Sequence, residues 1–82
     1  MINEYLNSLH IGDIFHNDNG DNYTVIAINQ KNDEVFLGKY YPTSNQTQYI
    51  VAWGIKKGSW CQGHYFMSNF DSACQYFNRK KV

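Results

Sequence analysis

Four runs of β-branched and aromatic residues, each closed within a few positions by turn-forming residues, leave this chain few ways to fold. They are 23–28 (Tyr-Thr-Val-Ile-Ala-Ile), 35–41, 49–55 and 59–67. Such runs favour pleated, half-buried strands. The connections between them are too short for crossover helices, so successive strands must pair antiparallel. Asn17-Asp18-Asn19-Gly20-Asp21-Asn22 is a turn cluster, and Asn-Gly tolerates the positive φ that tight hairpins need. A shorter run, 13–16, precedes it as a first strand. Pro42 stops the third strand, and Lys56-Lys57-Gly58 turns the fourth into the fifth.

Helices are expected at both ends. Ile2, Tyr5, Leu6 and Leu9 follow the i, i+3, i+4, i+7 spacing of an amphipathic helix, with Gly12 placed to stop it. Ser68-Asn69-Phe70-Asp71 resembles a capping box, and Phe70, Ala73, Cys74 and Phe77 continue at helical spacing. Asp71 and the Arg79-Lys80-Lys81 tail complement the helix dipole at its two ends. The expected fold is therefore α+β in a single domain over 1–82. Its core is a five-stranded antiparallel sheet, strongly bent or closed into a small barrel, with a short N-terminal helix and a C-terminal helix packed on one face. A chain of 82 residues buries only about 60% of its unfolded surface. Aromatics at 17% supply large apolar area per residue and offset that small size.

No stretch reaches the roughly 18 apolar residues of a membrane helix. Residues 1–5 carry neither a basic nor an apolar leader segment, so no secretory signal and a cytoplasmic location are expected. Cys61 and Cys74 are read as buried, reduced thiols, with a single bridge as the alternative. Net charge is zero but unevenly distributed. Residues 1–34 hold Glu4, Asp13, Asp18, Asp21, Asp33 and Glu34 against Lys31; residues 35–82 hold Lys39, Lys56, Lys57, Arg79, Lys80 and Lys81 against Asp71. Such asymmetry can mark an interaction surface, unless the charges mix once the chain folds.

The last hairpin divides into two faces if Ile55 pairs with Ser59. Tyr49, Val51, Trp53, Ile55, Cys61, Gly63, Tyr65 and Met67 then share an apolar face, assigned to the core beneath the C-terminal helix. The opposite face is Gln48, Ile50, Ala52, Gly54, Trp60, Gln62, His64 and Phe66, with Trp60 beside Gly54. This mixture of aromatic and polar groups reads as a protein-binding surface. The alternative is that the sheet curls and makes this face a second core layer. Asp18, Asp21, Asp33 and Glu34 join the candidate protein-binding set, because acids in turns can present negative charge to a basic partner.

No catalytic site, metal site or cofactor is expected. Cys61 and His64 stand three apart on a strand and so point to opposite faces, which defeats both a metal pair and a nucleophile pair. Asp18 to Asp21 lacks the alternating ligands and closing Glu of a calcium loop. Neither phosphate-loop nor dinucleotide patterns occur. A second function class is a nucleic-acid-binding regulator, with Lys56, Lys57, Arg79, Lys80 and Lys81 on phosphates and a Trp stacking a base. Against it stands the absence of the strong basic balance such proteins carry. A third is a homo-oligomer in which acidic and basic ends meet.

Gly12-Asp13-Ile14-Phe15 followed by 23–28 resembles the opening of small SH3-like β domains. Residues 49–54 and 58–66 are similar to small proteins of phages and integrative elements of low-GC Gram-positive bacteria. That resemblance implies a mobile-element protein that either binds and disables host machinery, such as a CRISPR effector nuclease, in the manner of an anti-CRISPR inhibitor, or regulates the element itself. Small size, the lack of catalytic motifs, the Trp60/His64/Phe66 face and the acidic N-terminal turns together give the leading expectation, a monomer or homodimer acting by stoichiometric protein binding.

Overall fold

The computed structural model describes residues 3–79. Helix α1 (Glu4–Ser8) leads into strands β1 (Ile14–His16), β2 (Asn22–Asn29), β3 (Glu34–Tyr41), β4 (Gln46–Trp53) and β5 (Gln62–Tyr65), and helix α2 (Phe70–Phe77) follows. A single 3-10 turn, Gln30–Asn32, joins β2 to β3. All pairings are antiparallel and the spatial order is β1-β2-β3-β4-β5. The meander expected from short connections is therefore present, as an open sheet with β1 and β5 at its two edges.

Turn chemistry accounts for the strand ends. Asn17 N–H donates to the Asp21 carbonyl at 2.9 Å, and Gly20 takes φ 94° inside that turn. Asp33 adopts φ 55°, and Asn45 adopts φ 54° after Pro42. Both are residue types that tolerate the left-handed region. The two helix signals shift slightly. α1 is a single short turn capped by Asn3, whose Oδ1 accepts from Leu6 N–H at 3.0 Å. It ends at Ser8, and Gly12 (φ 94°) instead shapes the turn into β1. At α2 the cap is Asn69 and not Ser68: its Oδ1 accepts from Ser72 N–H at 3.0 Å.

Both faces of the sheet are buried, by different means. On one face α2 lays Ala73 and Phe77 over Phe36 and Val51, with Tyr49, Phe66 and Tyr76 around them. Phe70 stacks on Phe36 at 5.8 Å and meets Tyr49 edge-on at 5.2 Å. That face matches the helical spacing of Phe70, Ala73, Cys74 and Phe77. On the other face Tyr23, Val25, Val35, Leu37, Ile50 and Ala52 are covered by Leu6 of α1 and by Ile55 and Trp60 from the loop before β5. The 54–61 segment thus folds back over the sheet. Its tip is tied to the β1–β2 turn, where Asp18 N–H donates to the Gly58 carbonyl at 2.8 Å. Gly58 takes φ 86°, and a Cβ there would run into the Asp18 carboxylate.

The β4–β5 register differs by one residue from that expected. Ile50 pairs with Tyr65, Val51 with His64, Ala52 with Gly63 and Trp53 with Gln62. The same offset holds at the tip, where Lys56 bridges to Ser59 and leaves a two-residue turn, Lys57-Gly58. A one-residue slip changes which residues share a face across the pair. His64 accordingly lies on the α2 side with Val51, and Gly63 and Tyr65 lie on the side of Ala52 and Ile50.

Candidate functional site

Trp60, expected as the leading anchor of an open face, is half-buried and packs against the core. Its ring meets Phe15 at 5.8 Å and, edge-on, Tyr23 at 5.4 Å. It lies over Gly63, where a Cβ would stand 3.0 Å from the indole Nε1. The missing side chain of Gly63 is thus what lets the indole reach the sheet. Cys61, and not Trp60, sits against Gly54: a Cβ on Gly54 would stand 2.8 Å from the Cys61 Sγ. The face carrying Ile50 and Ala52 is therefore a second core layer, covered by α1 and the 54–61 loop and not by curling of the sheet. Cys61 is exposed and Cys74 half-buried, both with free thiols, which corrects the expectation of a buried Cys61.

His64 and Phe66 fall on the opposite face from Trp60 and build an aromatic stack with α2. The His64 ring lies 4.8 Å from Phe66 and 4.6 Å from Tyr76. Arg79 caps the stack with its guanidinium 3.7 Å from the Tyr76 ring centre. The same guanidinium forms a fork with Glu34, Nη2 to Oε2 at 2.6 Å and Nη1 to Oε1 at 3.3 Å. Arg79 also donates to the Tyr76 carbonyl at 2.6 Å. The hydrogen bond to Glu34 holds the Arg79 pKa above its ordinary value. Gln62 and His64 are exposed, and Phe66 is half-buried.

The acidic and basic candidates are also redistributed. Glu34 is fully buried (0% exposed), so it offers no charge to a partner. Asp33 accepts from Asn3 Nδ2 at 2.8 Å. Asp21 is ion-paired with Lys39, whose pKa is raised chiefly by that hydrogen bond. Asp18 is exposed but closes against the tip at Gly58. Of these four acids only Asp18 is exposed. Lys56 and Lys57 are exposed at the tip, Arg79 is held by Glu34, and Lys80 and Lys81 lie outside the described residues. Halves of opposite charge in the sequence therefore meet in space, at Asp21–Lys39 and Glu34–Arg79.

Among the described residues, three of the six exposed large apolar side chains lie at β5 and the bend and helix start that follow it; Ile11, Ile14 and Tyr40 are the others. Tyr65 is 60% exposed, Met67 65% and Phe70 45%. β5 is a terminal strand of four residues, so its outer edge offers backbone groups beside those side chains. Met67 takes φ 53°, yet Tyr49 N–H still donates to its carbonyl at 2.8 Å. The ladder ends there and the chain turns away towards α2. Tyr65 and Met67, expected in the core if Ile55 pairs with Ser59, are exposed because the hairpin begins instead at Lys56–Ser59, one residue further on. Their signal was present only as two large residues that the corrected pairing leaves beyond the cover of Trp60 and α1. On the same side of the sheet Tyr23 is buried, and that burial, reinforced by Asp21, raises its hydroxyl pKa. Among the described residues, no group of three or more His, Cys, Asp or Glu side chains is placed to hold a metal ion, and no helix is long and apolar enough to cross a membrane. No family model, curated protein or solved structure matches this chain.

Proposed function

We propose that this chain is a non-catalytic protein-binding domain, and that its partner is an extended protein segment lying along the β5 edge. One observation carries the reading: Tyr65 and Met67, large apolar side chains exposed by 60% and 65%, lie on a terminal strand and just beyond its end. Main-chain pairing along such an edge supplies affinity, and neighbouring side chains supply selectivity. Burying Tyr and Met there removes apolar area from water with little rearrangement of the sheet. His64 and Gln62, also exposed on this strand, add polar contacts at the rim. Gln62, His64 and Phe66 thus remain in the proposed site, and Trp60 supports it from beneath.

The resemblance of 49–54 and 58–66 to mobile-element proteins selects the partner to try first, a host defence complex such as a CRISPR effector nuclease inhibited by stoichiometric binding. The test uses the whole chain and a Tyr65→Ser/Met67→Ser variant as baits in a nuclease-treated bacterial lysate. A near-stoichiometric defence protein that the wild type holds and the variant loses supports the proposal. Equal capture by both baits removes β5 from the site. Recovery of nucleic acid alone, in parallel untreated lysate, replaces the proposal with the regulator reading. A wild-type dimer that the variant dissolves identifies a second copy of the chain as the occupant.

A further inference from the structure

We infer that the Asn19-Gly20 peptide is a site of covalent self-modification, the deamidation of Asn19 through a cyclic imide. The chain has ten Asn residues, and only Asn19 precedes Gly. Glycine matters because the reaction needs the next backbone nitrogen to reach the side-chain amide carbon, an approach that a Cβ on the following residue hinders. At Gly20 a Cβ would find nothing within 4 Å, and the residue is exposed at φ 94°. Every other Asn is followed by a residue that carries a Cβ.

The local geometry acts on the reaction in two ways. Asp21 N–H donates to Asn19 Oδ1 at 2.9 Å. That donor sits on the oxygen that gains negative charge when the amide carbon is attacked, and so favours the tetrahedral intermediate. Against it, Gly20 N–H donates to the Asn17 carbonyl at 2.9 Å and must be released before the nitrogen can react. In the step itself hydroxide removes the Gly20 amide proton and the nitrogen bonds to Asn19 Cγ. The Cγ–Nδ2 bond breaks, and ammonia leaves with a proton from water. Water then opens the ring at either carbonyl. One product carries an ordinary aspartate in place of Asn19. The other carries an isoaspartyl link, in which the main chain runs through the side-chain carbon. No oxidant or cofactor takes part.

The site has a structural consequence because its turn holds the 54–61 loop through Asp18 N–H and the Gly58 carbonyl. An isoaspartyl link adds a methylene to the main chain inside the turn closed by Asn17 N–H and the Asp21 carbonyl. That tie then fails.

The whole chain, kept folded at mildly alkaline pH, tests the inference by peptide mapping and isoaspartyl methyltransferase labelling. The expected result is that Asn19 is the first Asn to convert, in both product forms, and that Asn19→Ser abolishes the label. The isolated isoaspartyl form is expected to lose amide-exchange protection at Asp18. Conversion starting at another Asn overturns the inference. So does an intact Asn19 in the folded chain when the urea-unfolded chain converts there, because the Gly20–Asn17 bond would then be protecting it. Unchanged protection at Asp18 overturns the coupling to the loop.

Discussion

Replacing Arg79 by Ala should destabilise this fold more than any other change of a surface-reaching charge, and the size follows from the burial of Glu34. The Glu34 carboxylate is 0% exposed and the Arg79 side chain 28% exposed, joined by two hydrogen bonds of 2.6 and 3.3 Å. Removing one member of a buried, hydrogen-bonded pair costs about 3–5 kcal/mol, because the remaining charge keeps its desolvation penalty. Solvent at the Arg79 end places the expected loss near the lower limit, about 3 kcal/mol. Stability at ~0.05–0.15 kcal/mol per residue amounts to about 4–12 kcal/mol for a chain of this length. Arg79→Ala therefore removes a quarter or more of it. Lys in place of Arg restores the charge but neither the fork nor the stack on Tyr76, so rescue is partial. The assay is urea unfolding of wild type, Arg79→Ala, Glu34→Gln and the double variant. With its charge removed, residue 34 no longer needs the guanidinium, so the double variant should recover about 2 kcal/mol relative to the sum of the singles. A coupling below about 0.5 kcal/mol, the ordinary scatter of independent sites, would refute the reasoning.

Trp60→Ala should cost about 3 kcal/mol, from the void left between Phe15, Tyr23 and Gly63, and Trp60→Phe clearly less; equal losses for the two would mean that the indole does not fill that space. Gly58→Ala should cost about 1–2 kcal/mol for the left-handed backbone, and Asp18→Ala should not rescue it, since the exposed Asp18 carboxylate can rotate away; thermal melts of the single and double variants read this directly. Tyr23 and Lys39 predict weakening in alkali. Each folded pKa lies above its unfolded value of 10.0 or 10.5, so the unfolded chain loses the proton first. Their stabilisation is complete below those values and is lost as pH rises through the folded ones. Tyr23→Phe should flatten the stability profile above pH 10.0, and an unchanged slope would remove Tyr23 as its cause.

Much of the fold was legible in the sequence because its signals are local. The period-two runs, Pro42, the Asn-Gly turn and the helical spacing of Phe70, Ala73, Cys74 and Phe77 depend only on near neighbours, and each keeps its meaning in the folded chain. The α2-covered face of β4 was readable for the same reason. What the sequence could not determine was everything set by one pairing offset and one fold-back. Lys56–Ser59 and not Ile55–Ser59 begins the last hairpin, a choice made by the backbone at Lys57-Gly58 and by the Asp18–Gly58 tie. With period two, that single residue moved His64 and Phe66 under Tyr76 and left Tyr65 and Met67 exposed. The fold-back of 54–61 then laid Trp60 against the core, half-buried, through contacts with Phe15 and Tyr23, which lie far away in sequence. Charge followed the same rule: Glu34 and Arg79 stand far apart along the chain, and only the tertiary structure makes them one buried pair. Alternation tells which residues share a face within a strand, but which face meets water is decided by what packs across it.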